Sequence, residues 1–248
     1  LEGYFLGWLK DRKARKVFKD SVENNLYLVA AEGGGSRSGA WTSAVLTEID
    51  RTMDGAFRQK CFAISSISGG SIGSAATLAW WDNARRDSIA NLQIYNDDSS
   101  RVKYVSRIFG RNYISTALAG IFFYDGFQQN HLFAWLFPSE YSRTDRLQDE
   151  EDDAVQLALS DVFDKKVYSG FPDHYLKGTD FLELYYWNES GKPKYGLPLF
   201  FPNTCRVEEG RRGVTSAIKL NTDQVSRGPK HPGNAGLLDI IKEKDNGE

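Results

Sequence analysis

Two glycine-rich turns, each strung between an apolar run and a helical pattern, constrain this chain more than any other feature. The first reads Glu32-Gly33-Gly34-Gly35-Ser36-Arg37 and the second Ser66-Ile67-Ser68-Gly69-Gly70-Ser71. Short apolar runs at 26–31 and 61–66 precede them and read as strands, the first as a buried strand of a parallel sheet. After the first turn, Trp41, Val45, Leu46 and Ile49 recur at helical spacing. They predict a helix over 38–52, capped by Ser36 or Ser38 and ended by Asp54-Gly55. After the second, the small residues Gly73, Ser74, Ala75, Ala76 and Ala79 predict a helix over 72–81 that packs closely on the sheet. Strand, glycine turn and helix, twice in succession, give an α/β fold with parallel neighbouring strands.

The two turns suit one chemistry. A serine hydroxyl is a weak nucleophile at neutral pH and needs a base beside it and donors for the oxyanion it creates. A strand that turns sharply into a helix presents a serine at the carboxyl edge of the sheet. The helix amino end adds free N–H groups and a positive partial charge. Three consecutive glycines let the backbone approach a ligand and aim successive N–H groups at an anion. Gly33, Gly34 and Gly35 are therefore the candidate oxyanion loop, with Arg37 steadying it or adding charge. Ser66, Gly69 and Gly70 frame the candidate nucleophile, Ser68. A literal G-x-S-x-G match selects Ser71 instead, within Gly69-Gly70-Ser71-Ile72-Gly73. Ser68 is preferred because it follows the apolar run directly, whereas Ser71 lies about one helical turn further on. No Gly-Lys-Ser/Thr follows the first turn, so it is not a P-loop, and it fits a dinucleotide fingerprint badly.

The order of these elements resembles the patatin-like phospholipases. The likeness is specific over about residues 26–81 and weaker over 197–220, where Leu199-Phe200-Phe201-Pro202-Asn203-Thr204 looks like a later family strand ending in an Asn-Thr turn. It implies a three-layer α/β/α fold with a mostly parallel central sheet, and hydrolysis of lipid acyl esters by a Ser–Asp dyad through an acyl-enzyme. It implies Ser68 as the nucleophile, no cofactor and no metal. Ser66 stands where the family has a glycine, and Glu32 where an aspartate often precedes the glycines. The family's late Asp-Gly-Gly or Asp-Gly-Ala turn is missing. Asp54-Gly55 and Asp125-Gly126 come too early, Asp239 falls in an apolar helix-like run, and Asp245 precedes Asn-Gly at the end. The expectation is that the aspartate lies beyond residue 248 and that this piece alone is nearly inactive. The rival reading is a non-catalytic lipid-binding or interaction module on the same fold. A Ser-Asp-His triad would need His231, which sits in a Pro/Gly stretch.

A net charge of −2 gives no electrostatic case for nucleic acid. The partner class is a lipid or other acyl ester, with a membrane surface as a further contact. His131, His174 and His231 are scattered, and no Cys/His cluster has zinc spacing. Cys61 reads as a buried reduced thiol in a core strand, and a single bridge to Cys205 stays open. No apolar run is long enough to span a bilayer and no signal peptide is visible, so a cytoplasmic, membrane-associated protein is expected. Residues 1–25 read as an amphipathic helix on the domain or as a juxtamembrane segment with a basic flank, the short apolar part favouring the former.

The remainder, 26–248, reads as one domain with a helical insertion at about 87–166. Helices are expected at 104–109, 114–123, 127–137 and 153–163, and the acidic run 148–153 as a solvated loop and helix start. Strands are expected at 181–187, 197–201 and 213–220, with Gly191-Lys192-Pro193 turning between the first two and 221–234 a loop.

Overall fold

The computed structural model describes residues 1–18, 25–86, 95, 97–113, 115, 118, 143–163, 176, 181–187, 190–205, 212–220 and 238–239. The chain divides into two compact units, Leu1–Asn96 with Asp180–Glu248, and Asp97–Thr179. Of the helix expected at 114–123 only residues 115 and 118 are described, both helical; the helix expected at 127–137, the loop at 221–234, Asp125, Asp245 and all three histidines lie outside the described residues.

The first unit carries a mixed sheet in the order β1-β2-β3-β4-β5. Its strands are β1 (Tyr27–Ala31), β2 (Cys61–Ile67), β3 (Leu199–Cys205), β4 (Arg212–Val214) and β5 (Leu238–Asp239). The first three run parallel, β4 is antiparallel to β3, and β5 is parallel to β4. The unit also carries helices α1 (Glu2–Ala14), α2 (Gly35–Thr52), α3 (Ala56–Lys60) and α4 (Gly69–Arg86). The small residues of α4 let it press against α2. A Cβ on Gly73 would lie 2.4 Å from the Gly39 carbonyl oxygen, so only glycine permits that approach. Trp80 and Trp81 of α4 are fully buried.

α1 packs through one face. Tyr4, Trp8 and Arg12, spaced four apart, form its buried stripe, and Phe5, Tyr4 and Trp8 all contact the Phe62 ring. The buried Arg12 guanidinium is satisfied. It donates to the Gln59 carbonyl at 2.6 Å, the Tyr195 carbonyl at 2.7 Å and the Asp11 carboxylate at 2.8 Å. No helix among the described residues is long and apolar enough to cross a membrane.

Several expectations need correction. β1 is not a buried strand. It lies at the sheet edge, its residues alternate in exposure, and Leu28 is 69 % exposed. α2 begins at Gly35, with Gly34 in the cap position and no side-chain cap, so neither Ser36 nor Ser38 caps it. Ser38 instead donates its hydroxyl proton to the Glu32 carbonyl. Residues 181–187 form a turn, in which the Tyr185 and Tyr186 N–H groups donate to the Leu182 carbonyl, and only Tyr186 bridges, to Pro193. Their aromatic content serves packing: Phe181 contacts Phe200, and buried Tyr185 donates to the Pro198 carbonyl at 3.1 Å. The strand expected at 213–220 stops at Val214. Beyond it the Ser216 hydroxyl accepts from the Ile218 N–H and donates to the Ile218 carbonyl, taking those groups from any ladder. Asp239 lies in a strand and not in a helix. Neither cysteine is in a disulfide. Cys61 is buried, which pushes its thiol up to about 12, and Cys205 is exposed.

In the second unit, Asp97 caps α5 (Asp98–Phe109) by accepting from the Ser100 N–H at 2.8 Å. Hydrogen bonds from Ser99 and then Ser100 hold its carboxyl down at about 2. α6 (Arg143–Val162) buries Ala154, Val155, Ala158 and Leu159, while α5 buries Tyr104 and Ile108. The acidic run 148–153 therefore lies inside a helix, because the apolar stripe that follows it is continuous with its own turn. Asp152 is buried and accepts from the Leu176 N–H at 2.8 Å.

The C-terminal end of α2 holds a buried carboxylate. Asp50 accepts from the Arg58 backbone N–H at 2.8 Å and from the Tyr95 hydroxyl, while the Arg58 guanidinium stacks on the Tyr95 ring. Burial outweighs Arg58 and raises this carboxyl from 3.8 to about 6. The folded state then binds this proton more tightly than the unfolded chain. The group's contribution is largest below pH 3.8 and is lost as pH rises through about 6. The stability of the wild type relative to Asp50→Asn should fall by up to about 3 kcal/mol between pH 4 and 7. Urea titrations of both proteins across that range measure it; a pH-independent difference would refute the assignment.

Candidate active site

β1 and β2 are parallel neighbours paired through Ala31 and Ser66, so both end at the same edge of the sheet. That register brings the two glycine turns together. The first leaves β1 through Glu32 and Gly33 and enters α2 with Gly34 at φ +150° and Gly35 at φ +61°. The second leaves β2 at Ile67, passes through Ser68 and enters α4 at Gly69.

Ser68 occupies the left-handed region at φ +52°. A non-glycine residue there costs roughly 1–2 kcal/mol and persists only where its surroundings over-determine it. Helix α4 holds one side, since the Ser68 carbonyl accepts from the Ser71 N–H at 2.8 Å and the Ile72 N–H at 3.3 Å. Backbone contact holds the rest. A Cβ on Gly69 would lie 2.0 Å from the Gly35 carbonyl oxygen, and one on Gly70 would lie 2.4 Å from that of Glu32. The two loops are interlocked at distances only glycine allows.

Ser68 is exposed, and a Cβ on Gly33 would sit 3.1 Å from Ser68 Cβ and 3.7 Å from Ser68 Oγ. The amino ends of α2 and α4 thus meet at one point with Ser68 between them. Both present backbone N–H groups and the positive ends of their dipoles there. Ser71 lies within α4, and its hydroxyl is hydrogen-bonded to that of buried Ser66 at 3.0 Å.

Two open grooves border the turns. One, of about 810 Å³, is lined by Gly33, Gly34, Arg37, Trp41 and Val45 among others. Arg37 is exposed on the first part of α2. The second, of about 440 Å³, lies over the strand ends and is lined by Glu32, Ser65, Ile67, Asn203, Thr204 and Cys205 among others. Asn203 has a place in this groove that no sequence motif assigns to it. Its Nδ2 donates to Ser65 Oγ at 2.9 Å, the Ser66 carbonyl at 3.0 Å and the Phe201 carbonyl at 3.1 Å. No local pattern marks an amide that reaches across strands; the Asn-Thr strand end was its only signal.

Among the described residues, no carboxylate or imidazole hydrogen-bonds to Ser68 Oγ. Asp54 follows the far end of α2, an 18-residue helix that spans about 27 Å. Asp239 is in β5, three strands from β2, or about 14 Å at the usual strand spacing. Neither is placed to act as a base for Ser68. No cluster of metal-ligating side chains occurs among the described residues. The chain matches no family model, no curated protein and no solved structure.

Proposed function

We propose that this chain is the core of a patatin-type, three-layer α/β/α serine acyl hydrolase acting on lipid acyl esters. The observation that carries the reading is the pairing of Ser68, at φ +52°, with the Gly33 backbone, where a Cβ on Gly33 would lie 3.1 Å from Ser68 Cβ. The Ser68 hydroxyl attacks the acyl carbonyl. The oxyanion that forms is received by N–H groups of the Gly33–Gly35 loop and of the α4 amino end, with Arg37 nearby. Each such donor is worth about 3 kcal/mol in the transition state. The acyl group passes to Ser68 Oγ, the alcohol leaves with the serine proton, and water releases the fatty acid. A carboxylate base is required for both steps, and no described residue fills that role.

The rival reading is a lipid-binding module on the same fold, which would use the groove beside the first turn, where Trp41 is exposed. One experiment separates them. The intact protein, treated with an alkyl fluorophosphonate and mapped by mass spectrometry, should carry one adduct, on Ser68. A protein that binds fatty-acyl vesicles but takes no adduct would be the binding module.

A further inference from the structure

We infer that Asn203 is a positioning residue for the Ser68 elbow; this rests on Ser68 being the nucleophile. The strained turn has two anchors already described, α4 below it and the glycine loop beside it. Neither fixes the strand that feeds it. β2 and β3 pair through Ile67↔Asn203, the last rung before Ser68. At that rung the Asn203 amide crosses to β2 and holds the Ser66 carbonyl at 3.0 Å and Ser65 Oγ at 2.9 Å, while tied to its own strand at the Phe201 carbonyl. The Ser66 carbonyl only accepts, so the nitrogen and not the oxygen faces β2. An amide with two hydrogens shared among three acceptors is rigidly set. The peptide unit it grips lies two residues ahead of Ser68. The buried Ser66 side chain is held from the other direction by Ser71.

A displaced elbow lowers the reaction step without weakening ligand capture, and a misplacement of about 1 Å can cost roughly 100-fold. In the intact protein, Asn203→Leu and Asn203→Asp keep the branching and number of side-chain heavy atoms and remove the donors. Both should lower the maximal rate of fluorophosphonate inactivation 10- to 100-fold (about that range), with the half-saturating concentration within twofold of wild type. Thr52→Val, exposed at the far end of α2 from the site, should leave both unchanged. Equal inactivation rates in wild type and both Asn203 variants, with Ser68 labelled in all, would overturn the role and leave the nucleophile standing. Failure of both variants to fold, or a parallel loss of rate and capture, would make Asn203 a staple of the sheet and overturn the proposal. A wild-type protein unlabelled at Ser68 would overturn the nucleophile and this inference together.

Discussion

Ser68→Ala should abolish fluorophosphonate labelling of the intact protein, whereas Ser71→Ala should leave it nearly intact. The contrast follows from where each hydroxyl points. Ser68 is exposed at the junction of two helix amino ends, with the Gly33 backbone beside it. Ser71 is one turn inside α4 and paired with Ser66. Loss of a nucleophilic serine typically costs about 10⁶-fold in turnover, so labelling should drop to background. Loss of the Ser71 hydroxyl removes one hydrogen bond, worth about 1 kcal/mol of stability, and no reacting atom. Intact-mass measurement after a fixed exposure reads both variants. If Ser71→Ala is the unlabelled variant, the elbow has been placed one turn too early and the oxyanion geometry drawn here fails with it.

What the sequence made legible follows from how local each signal is. The glycine turns, β2 and the helices at α2 and α4 were readable because their determinants lie within a few residues. An apolar run, a glycine triplet and a 3.6-residue stripe each speak for themselves. The features that were misread depend on partners distant in the chain. Leu28 belongs to an apolar run, yet it lies on an edge strand and is exposed. Residues 181–187 have strand composition, but their aromatics are placed by Phe200 and Pro198, and the backbone turns to satisfy them. Ser216 ends β4 by a hydrogen bond with a residue two positions on, a competition that composition does not reveal. The interlock of the loops was half legible. Triple glycine announced backbone freedom, but that Gly69 and Gly70 are needed for the approach of residues 32–35 required the β1–β2 register.

That interlock is the basis of the second large effect. In Gly69→Ala the new Cβ would fall 2.0 Å from the Gly35 oxygen, 2.7 Å from its carbonyl carbon and 2.9 Å from its nitrogen. All three are backbone atoms, so no side chain can swing aside, and one loop must retreat from the other. Gly35 itself sits at φ +61° at the start of α2, so its retreat also tilts the amino end that faces Ser68. Overpacking of this kind costs about 3 kcal/mol or more, which lowers the melting temperature by roughly 6–12 °C for a unit of this size. The site should suffer more than the fold. An oxyanion donor moved out of reach costs about 10²–10³-fold, so labelling of the folded Gly69→Ala protein should fall by that factor. Gly3→Ala is the matched control, because a Cβ there meets nothing within 4 Å; it should leave labelling unchanged and stability equal or slightly higher. Calorimetry and labelling rates on the two variants decide the matter. Wild-type melting and wild-type labelling in Gly69→Ala would mean that the two turns do not touch, and the hydroxyl would then have no oxyanion loop to work with.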